Sequence, residues 1–323
     1  MIPRAAFSAL FYASSVLAVC TKLEDCPQYQ HLKTAECQTY HHFVARGSTS
    51  SYPGHVLETV GKVCNALNTN ENSKACGYED VQYPALNGDK WCSSSHEGAV
   101  NGAEQMSNYT ARCPDSHLIL MGFSQGGSVL LDVLGGGGGE LWGCVQEENP
   151  KMDITTAPGS KVAAALVFGP TRRSAHQSWT VGGGDAFNGS RPRTSEQLSG
   201  LQPYADANLL REYCQPGDPI CAPDSGKTDM SNHLSYFDKY SDEAAAWVLD
   251  LARKAERGNG STPDQRSGAG DKLGRSIAHP IANVFILIFV VLVLYFVVRK
   301  YASWKASNAR LSSYAPVNTT DNV

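Results

Sequence analysis

Residues 117–123, HLILMGF, form an unbroken apolar run that ends directly in Gly122-Phe123-Ser124-Gln125-Gly126, and a helical pattern continues to Leu134. A short apolar run of this kind reads as a strand buried on both faces. The pentapeptide is G-x-S-x-G, and a strand before it with a helix behind it is the setting of a nucleophile elbow. The turn is so tight that glycines flank the serine, whose hydroxyl is pushed out at the carboxyl edge of a sheet. The same five residues also occur as a plain turn in a glycine-rich chain. The strand in front and the second glycine favour the elbow. The backbone N–H of Gln125, at the helix start, points to where an oxyanion would form.

The rest of the chain predicts a fold around that strand. Residues 40–45 (YHHFVA) and 161–168 (KVAAALVF) read as further strands, and 208–213 as the last. Helical patterns cover 55–67, 96–111 and 241–257. Alternating helices and near-continuously apolar strands imply an α/β domain, a three-layer sandwich whose central parallel sheet has helices on both faces. The glycines at 135–139 predict a loop, because such a run cannot sustain a helix. No internal repeat is visible.

Ten cysteines stand in the chain, and none forms a CxxC pair, so neither a zinc ribbon nor a thioredoxin-type site is expected. Structural disulfides in an oxidising compartment fit better. The N-terminus agrees: Arg4, an apolar stretch and Val16-Leu17-Ala18 predict a signal peptide over residues 1–18. Residues 281–298, IANVFILIFVVLVLYFVV, carry no charge and as a helix would span about 27 Å, the thickness of a bilayer core. They predict one C-terminal transmembrane helix, apolar all round where a core helix would keep a polar stripe. A polar tail over 299–323 argues against a lipid-anchor signal. Residues 257–280, rich in Gly, Ser and charge, predict a flexible stalk. One domain, 21–256, fills the space between leader and stalk. Lys and Arg are balanced around the span, so the leader and the cysteines set the expected orientation, with the domain outside and the tail in the cytoplasm. Asn108, Asn188 and Asn259 begin glycosylation sequons on the outer side, and Asn318 one on the inner side. The chain is therefore expected at the cell surface as a single-pass membrane protein.

Hydrophobic residues make up 42% and charged residues 18%, which suits a packed core. The net charge is −4 with no basic cluster, so a nucleic-acid partner is not expected. A serine hydroxyl needs a base, normally a histidine oriented by a carboxylate. In elbow enzymes the acid and then the histidine follow the serine in the chain. His176 precedes most candidate acids, so His233 is favoured. Just upstream lies Cys214-Gln-Pro-Gly-Asp218-Pro-Ile-Cys221, a short loop that a disulfide would hold rigid. Asp218 also reads as an ordinary turn residue before Pro219.

Five segments, in order, resemble the cutinase and acetylxylan esterase family of serine esterases of α/β-hydrolase type. They are Ala45-Arg46-Gly47-Ser48-Thr49, Cys113-Pro114-Asp115, Gly122-Phe123-Ser124-Gln125-Gly126, Tyr213-Cys214 through Gly217-Asp218-Pro219 to Cys221, and Asn232-His233-Leu234-Ser235-Tyr236. The resemblance covers about 35–256. It implies Ser124 as nucleophile, His233 as base and Asp218 as orienting acid, with Ser48 joining Gln125 in an oxyanion hole. It also implies disulfides Cys37–Cys113 and Cys214–Cys221, and leaves six cysteines unassigned. Ser48 read on its own is a turn residue. The implied activity is hydrolysis of carboxylic esters, cutin-like aliphatic or on acetylated polysaccharide, by a monomer needing no cofactor and no metal. The competing expectation is a cell-surface binding module that keeps the fold without the catalysis.

Overall fold

The computed structural model describes residues 26–69, 72 and 74–259. The expected leader, membrane span and tail, and all but the first residues of the stalk, lie outside them. Among the described residues no helix is long and apolar enough to cross a membrane.

Six strands form one parallel sheet: β1 (Tyr40–Ala45), β2 (Cys76–Asp80), β3 (His117–Phe123), β6 (Val162–Phe168), β7 (Thr180–Val181) and β8 (Leu210–Tyr213). Their spatial order is β2-β1-β3-β6-β8-β7, which puts β3 inside with β1 and β6 beside it. Every residue of β1, β3 and β6 is buried, the burial that a sheet covered on both faces imposes. Side chains alternate between two cores. Ile119, Met121 and Phe123 face a cluster with Val56, Val60 and Val63 of α1 (Leu57–Leu67) and its N-cap, and with Ala244, Val248 and Ala252 of α6 (Tyr236–Asn259). Leu118 and Leu120 face the other cluster, with Met106 of α2 (Trp91–Arg112), Val129 and Leu130 of α3 (Gln125–Gly135) and Leu201 of α4 (Ser195–Asp206). The result is the expected α/β fold with a central parallel sheet between helical layers.

The glycine run departs from expectation. Gly135 closes α3, and Gly137–Leu141 form β4, paired antiparallel to β5 (Cys144–Asn149) in a separate hairpin. Glycine loses more entropy than other residues in a strand, but here the surroundings override that preference. The pairing shifts register between Gly137 and Gly139, where φ reaches +116 at Gly138 and +104 at Gly139. That bulge needs a backbone that other residues rarely adopt. The closing helix also starts earlier than its sequence pattern, at Tyr236, and its last turn takes up residues 257–259 at the head of the expected stalk.

Four disulfides join described cysteines: Cys37–Cys113, Cys64–Cys76, Cys92–Cys144 and Cys214–Cys221. The first and last are the pairs the resemblance implied; the middle two pair four of the six cysteines that were left open. Asn108 and Asn188 are exposed.

His42 gives the fold an acid weakness. It lies in β1, fully buried, with Nδ1 at 3.1 Å from the Gly77 carbonyl and Nε2 buried without a partner among the described residues. Burial pushes its pKa down to about 3, against the opposing pull of the Gly77 bond. The unfolded chain takes up this proton near pH 6.5 and the folded one does not until near pH 3, so the unfolded state binds more protons between them. Stability is complete above about 6.5 and falls, at up to about 1.4 kcal/mol per pH unit for this residue, as the pH drops toward 3. Chemical denaturation at stepped pH is expected to show that slope, and His42→Gln to flatten it by one proton. An unchanged slope in the variant would assign the acid sensitivity to other groups.

Candidate active site

The carboxyl ends of the central strands carry the candidate residues, where ligands of open α/β sheets bind. After β3 the chain turns at Ser124 with φ +55 and ψ −119, and α3 begins at the next residue. This is an unusual conformation for a residue with a side chain. Close approach explains the flanking glycines. A Cβ on Gly122 would lie 2.6 Å from the Gly126 carbonyl oxygen, and one on Gly126 would lie 2.1 Å from that of Ala45. The Ser124 N–H donates to the Phe168 carbonyl at 2.8 Å, which fixes the turn to the end of β6.

Asp218 lies in the loop after β8 that Cys214–Cys221 closes. His233 lies on α5 (Met230–Leu234), beneath which Gln215 Nε2 donates to the Asn232 carbonyl and to Ser235 Oγ. The two side chains meet: His233 Nδ1 stands 2.9 Å from Asp218 Oδ2, and the carboxylate is fully buried. Burial alone would raise the Asp218 pKa. The His233 hydrogen bond and charge, the Tyr236 hydroxyl and the Ile220 N–H outweigh it and hold the carboxyl below its ordinary range. It stays ionised at neutral pH. With Nδ1 facing a carboxylate, the ring carries its proton there and leaves Nε2 free to accept.

Ser124 and His233 line one cavity of about 350 Å³, together with Gly47, Ser48, His55, Trp91, Phe123 and Trp142 among others. Phe123 packs against the His233 ring at 4.8 Å between centroids. Ser48 follows β1 and its Oγ donates to Gln125 Oε1 at 3.1 Å. The buried Gln125 amide in turn donates to the carbonyls of Leu86 and Trp91 and to Ser95 Oγ. Ser48 is thereby held beside the first turn of α3, whose N–H groups have no partner within the helix. A larger cavity of about 810 Å³ lies by the glycine run and the start of α4, and it contains none of the predicted site residues. His42, Cys64 and Cys76 come close enough together for a metal, but the two sulfurs are bonded to each other. His176 sits in the loop before β7, outside the cavity lining.

Two residues of the site escaped sequence reading. Tyr236 O–H donates to Asp218 Oδ2 at 2.7 Å, a second donor on the oxygen that His233 uses. Its place three residues after His233 was visible, but nothing in the sequence assigns it a partner. His55 stacks on Phe237 and lies tilted against Phe123, and burial, then the nearby His233, pushes its pKa down to about 4. It stays uncharged at neutral pH and adds no repulsion to a protonated His233.

Comparison with known proteins identifies the family. The family model described as Cutinase matches residues 36–251. Acetylxylan esterase 2 of Talaromyces purpureogenus is 27% identical over 244 residues, covering 74% of this chain and 96% of that protein. Cutinase 11 of Verticillium dahliae is 28% identical over 249 residues, covering 75% of each chain. Among solved structures, the catalytic core domain of acetyl xylan esterase from Trichoderma reesei aligns with a TM-score of 0.53 at 25% identity, over 67% of this chain and all of that one. The chain belongs to the cutinase family.

Proposed function

We propose that the protein hydrolyses carboxylic esters through a serine acyl-enzyme. Its relatives named acetylxylan esterase and cutinase are carboxylic ester hydrolases, and this chain is an enzyme of that class. Ser124 attacks the ester carbonyl while His233 Nε2 takes its proton. Asp218 holds the imidazole in the required tautomer and stabilises the imidazolium that forms. The backbone N–H groups of Ser48 and Gln125 receive the developing oxyanion. The alcohol departs with the proton from His233. Water then attacks the acyl-enzyme with His233 again as base, which restores Ser124. The single observation that carries this reading is one cavity lined both by Ser124 and by a histidine whose Nδ1 is bonded to a buried carboxylate.

The substrate is an ester of a cutin-like aliphatic acid or of an acetylated polysaccharide. The setting is the cell surface: a leader over 1–18 sends the chain into the secretory pathway, and a span over 281–298 tethers a monomeric catalytic domain outside the membrane.

A fluorophosphonate probe, which needs an activated serine, tests the chemistry. One label per protein is expected, mapped by peptide mass spectrometry to Ser124, with turnover of p-nitrophenyl acetate lost in step. A protein that neither takes the label nor turns over the ester is a binding module.

A further inference from the structure

The β4–β5 hairpin has no part in the chemistry above, yet it is held far more firmly than a two-stranded ribbon holds itself. At its base Gln146 Nε2 donates to the buried Asp132 carboxylate at 2.7 Å, and Arg193 reaches the same carboxylate at 2.7 Å. Arg172 donates to Gln146 Oε1 at 2.9 Å and to the Gly138 carbonyl. Near its tip the Cys92–Cys144 disulfide ties β5 to the start of α2, and Leu141 packs with Trp91 and Cys92. The residues that turn the chain between the strands are Trp142 and Gly143, at φ +50 and +79. Positive φ at both central positions is the pattern that Asn, Asp and Gly adopt readily and a bulky aromatic does not. Trp142 thus occupies a strained position, and such strain gathers at functional sites. The residue is 52% exposed, meets the buried Trp91 ring edge-on at 5.9 Å, and lines the cavity of Ser124 and His233.

We propose that Trp142 is a specificity-determining residue, an apolar wall for the acyl chain of the ester, and that the clamped hairpin exists to fix its position. This rests on the esterase reading. An acyl chain, rather than a sugar, is assigned from the company Trp142 keeps. Among the described residues the cavity lining contains no Asp, Glu, Lys or Arg, and although Asn87 and Thr171 also border it, Trp142 shares it with Trp91, Ile220, Met230 and Leu234. A long alkyl chain laid along the indole leaves water over its whole length, whereas an acetyl group offers a single methyl. The wall therefore discriminates by chain length and leaves the reacting atoms untouched.

The test compares Trp142→Asn, which suits the turn, Trp142→Ala and Trp142→Phe with the parent on p-nitrophenyl acetate and p-nitrophenyl octanoate. For Asn and Ala, the ratio of kcat/KM on the octanoate to that on the acetate is expected to fall at least about fivefold, mainly through KM on the octanoate. Phe should recover most of the octanoate activity, and Asn should melt no lower than the parent because it relieves the turn. Equal changes on both esters, or no change on either, overturn the proposal and leave the esterase standing. A parent protein that hydrolyses neither ester overturns the esterase reading, and this inference with it.

Discussion

Ser124→Ala is expected to lower kcat for ester hydrolysis on the order of 10⁶-fold, the loss seen when the nucleophile of a triad is removed. The substitution is clean. Alanine meets the same φ of +55 that serine does, and among the described residues the Ser124 hydroxyl makes no hydrogen bond that the fold depends on; the backbone N–H still reaches Phe168. Folding and KM should change little. Ser48→Ala provides the contrast, because it removes a hydroxyl and leaves the backbone donor. Its loss should stay at or below about 10²–10³-fold, the scale of one oxyanion donor. Steady-state rates on p-nitrophenyl acetate measure both. A Ser124→Ala protein that kept a few per cent of the parent rate would place the nucleophile at another residue.

The sequence disclosed the centre of the fold better than its margins, for a physical reason. Strands β1 and β3 match their runs residue for residue, because burial on both faces leaves few polar positions, His41, His42 and His117, to blur them. β2 reads CGYED, with a charged pair in a strand at the sheet edge, and β7 has two residues, so neither leaves a periodic trace. α4 carries Pro203 inside it and little apolar periodicity, and its start at the Thr194–Gln197 capping box went unread in the sequence. The candidate triad could be named because chain order constrains it, and the folded chain does bring His233 to Asp218. Tyr236 and Trp142 were not legible, since each matters through a contact that only the folded chain brings about. The glycine run misled for a related reason: propensity is a local property, and the hairpin is held by Arg172, Gln197 and a disulfide from elsewhere in the chain.

Asp218→Asn should cost on the order of 10⁴-fold in kcat, although it alters a single atom, because a carboxylate and an amide differ here in which way protons point. Four donors converge on this carboxylate. His233 Nδ1 and the Tyr236 hydroxyl meet Oδ2 at 2.9 and 2.7 Å, and the N–H groups of Ile220 and Cys221 meet Oδ1 at 2.7 and 3.2 Å. An asparagine must turn its NH₂ toward one pair. The backbone pair cannot become acceptors, so the amide nitrogen goes to the side of His233. There it donates to Nδ1 and drives the ring proton onto Nε2, the nitrogen that must receive the proton of Ser124. The base is then occupied before the reaction starts. Tyr236→Phe removes one donor and leaves the tautomer alone, so its loss should remain within about tenfold, the worth of one hydrogen bond. Ring-nitrogen NMR shifts of His233 report the tautomer directly: Nδ1–H in the parent and in Tyr236→Phe, Nε2–H in Asp218→Asn. An Asp218→Asn protein within tenfold of the parent, with its proton still on Nδ1, would mean that some other group orients the imidazole.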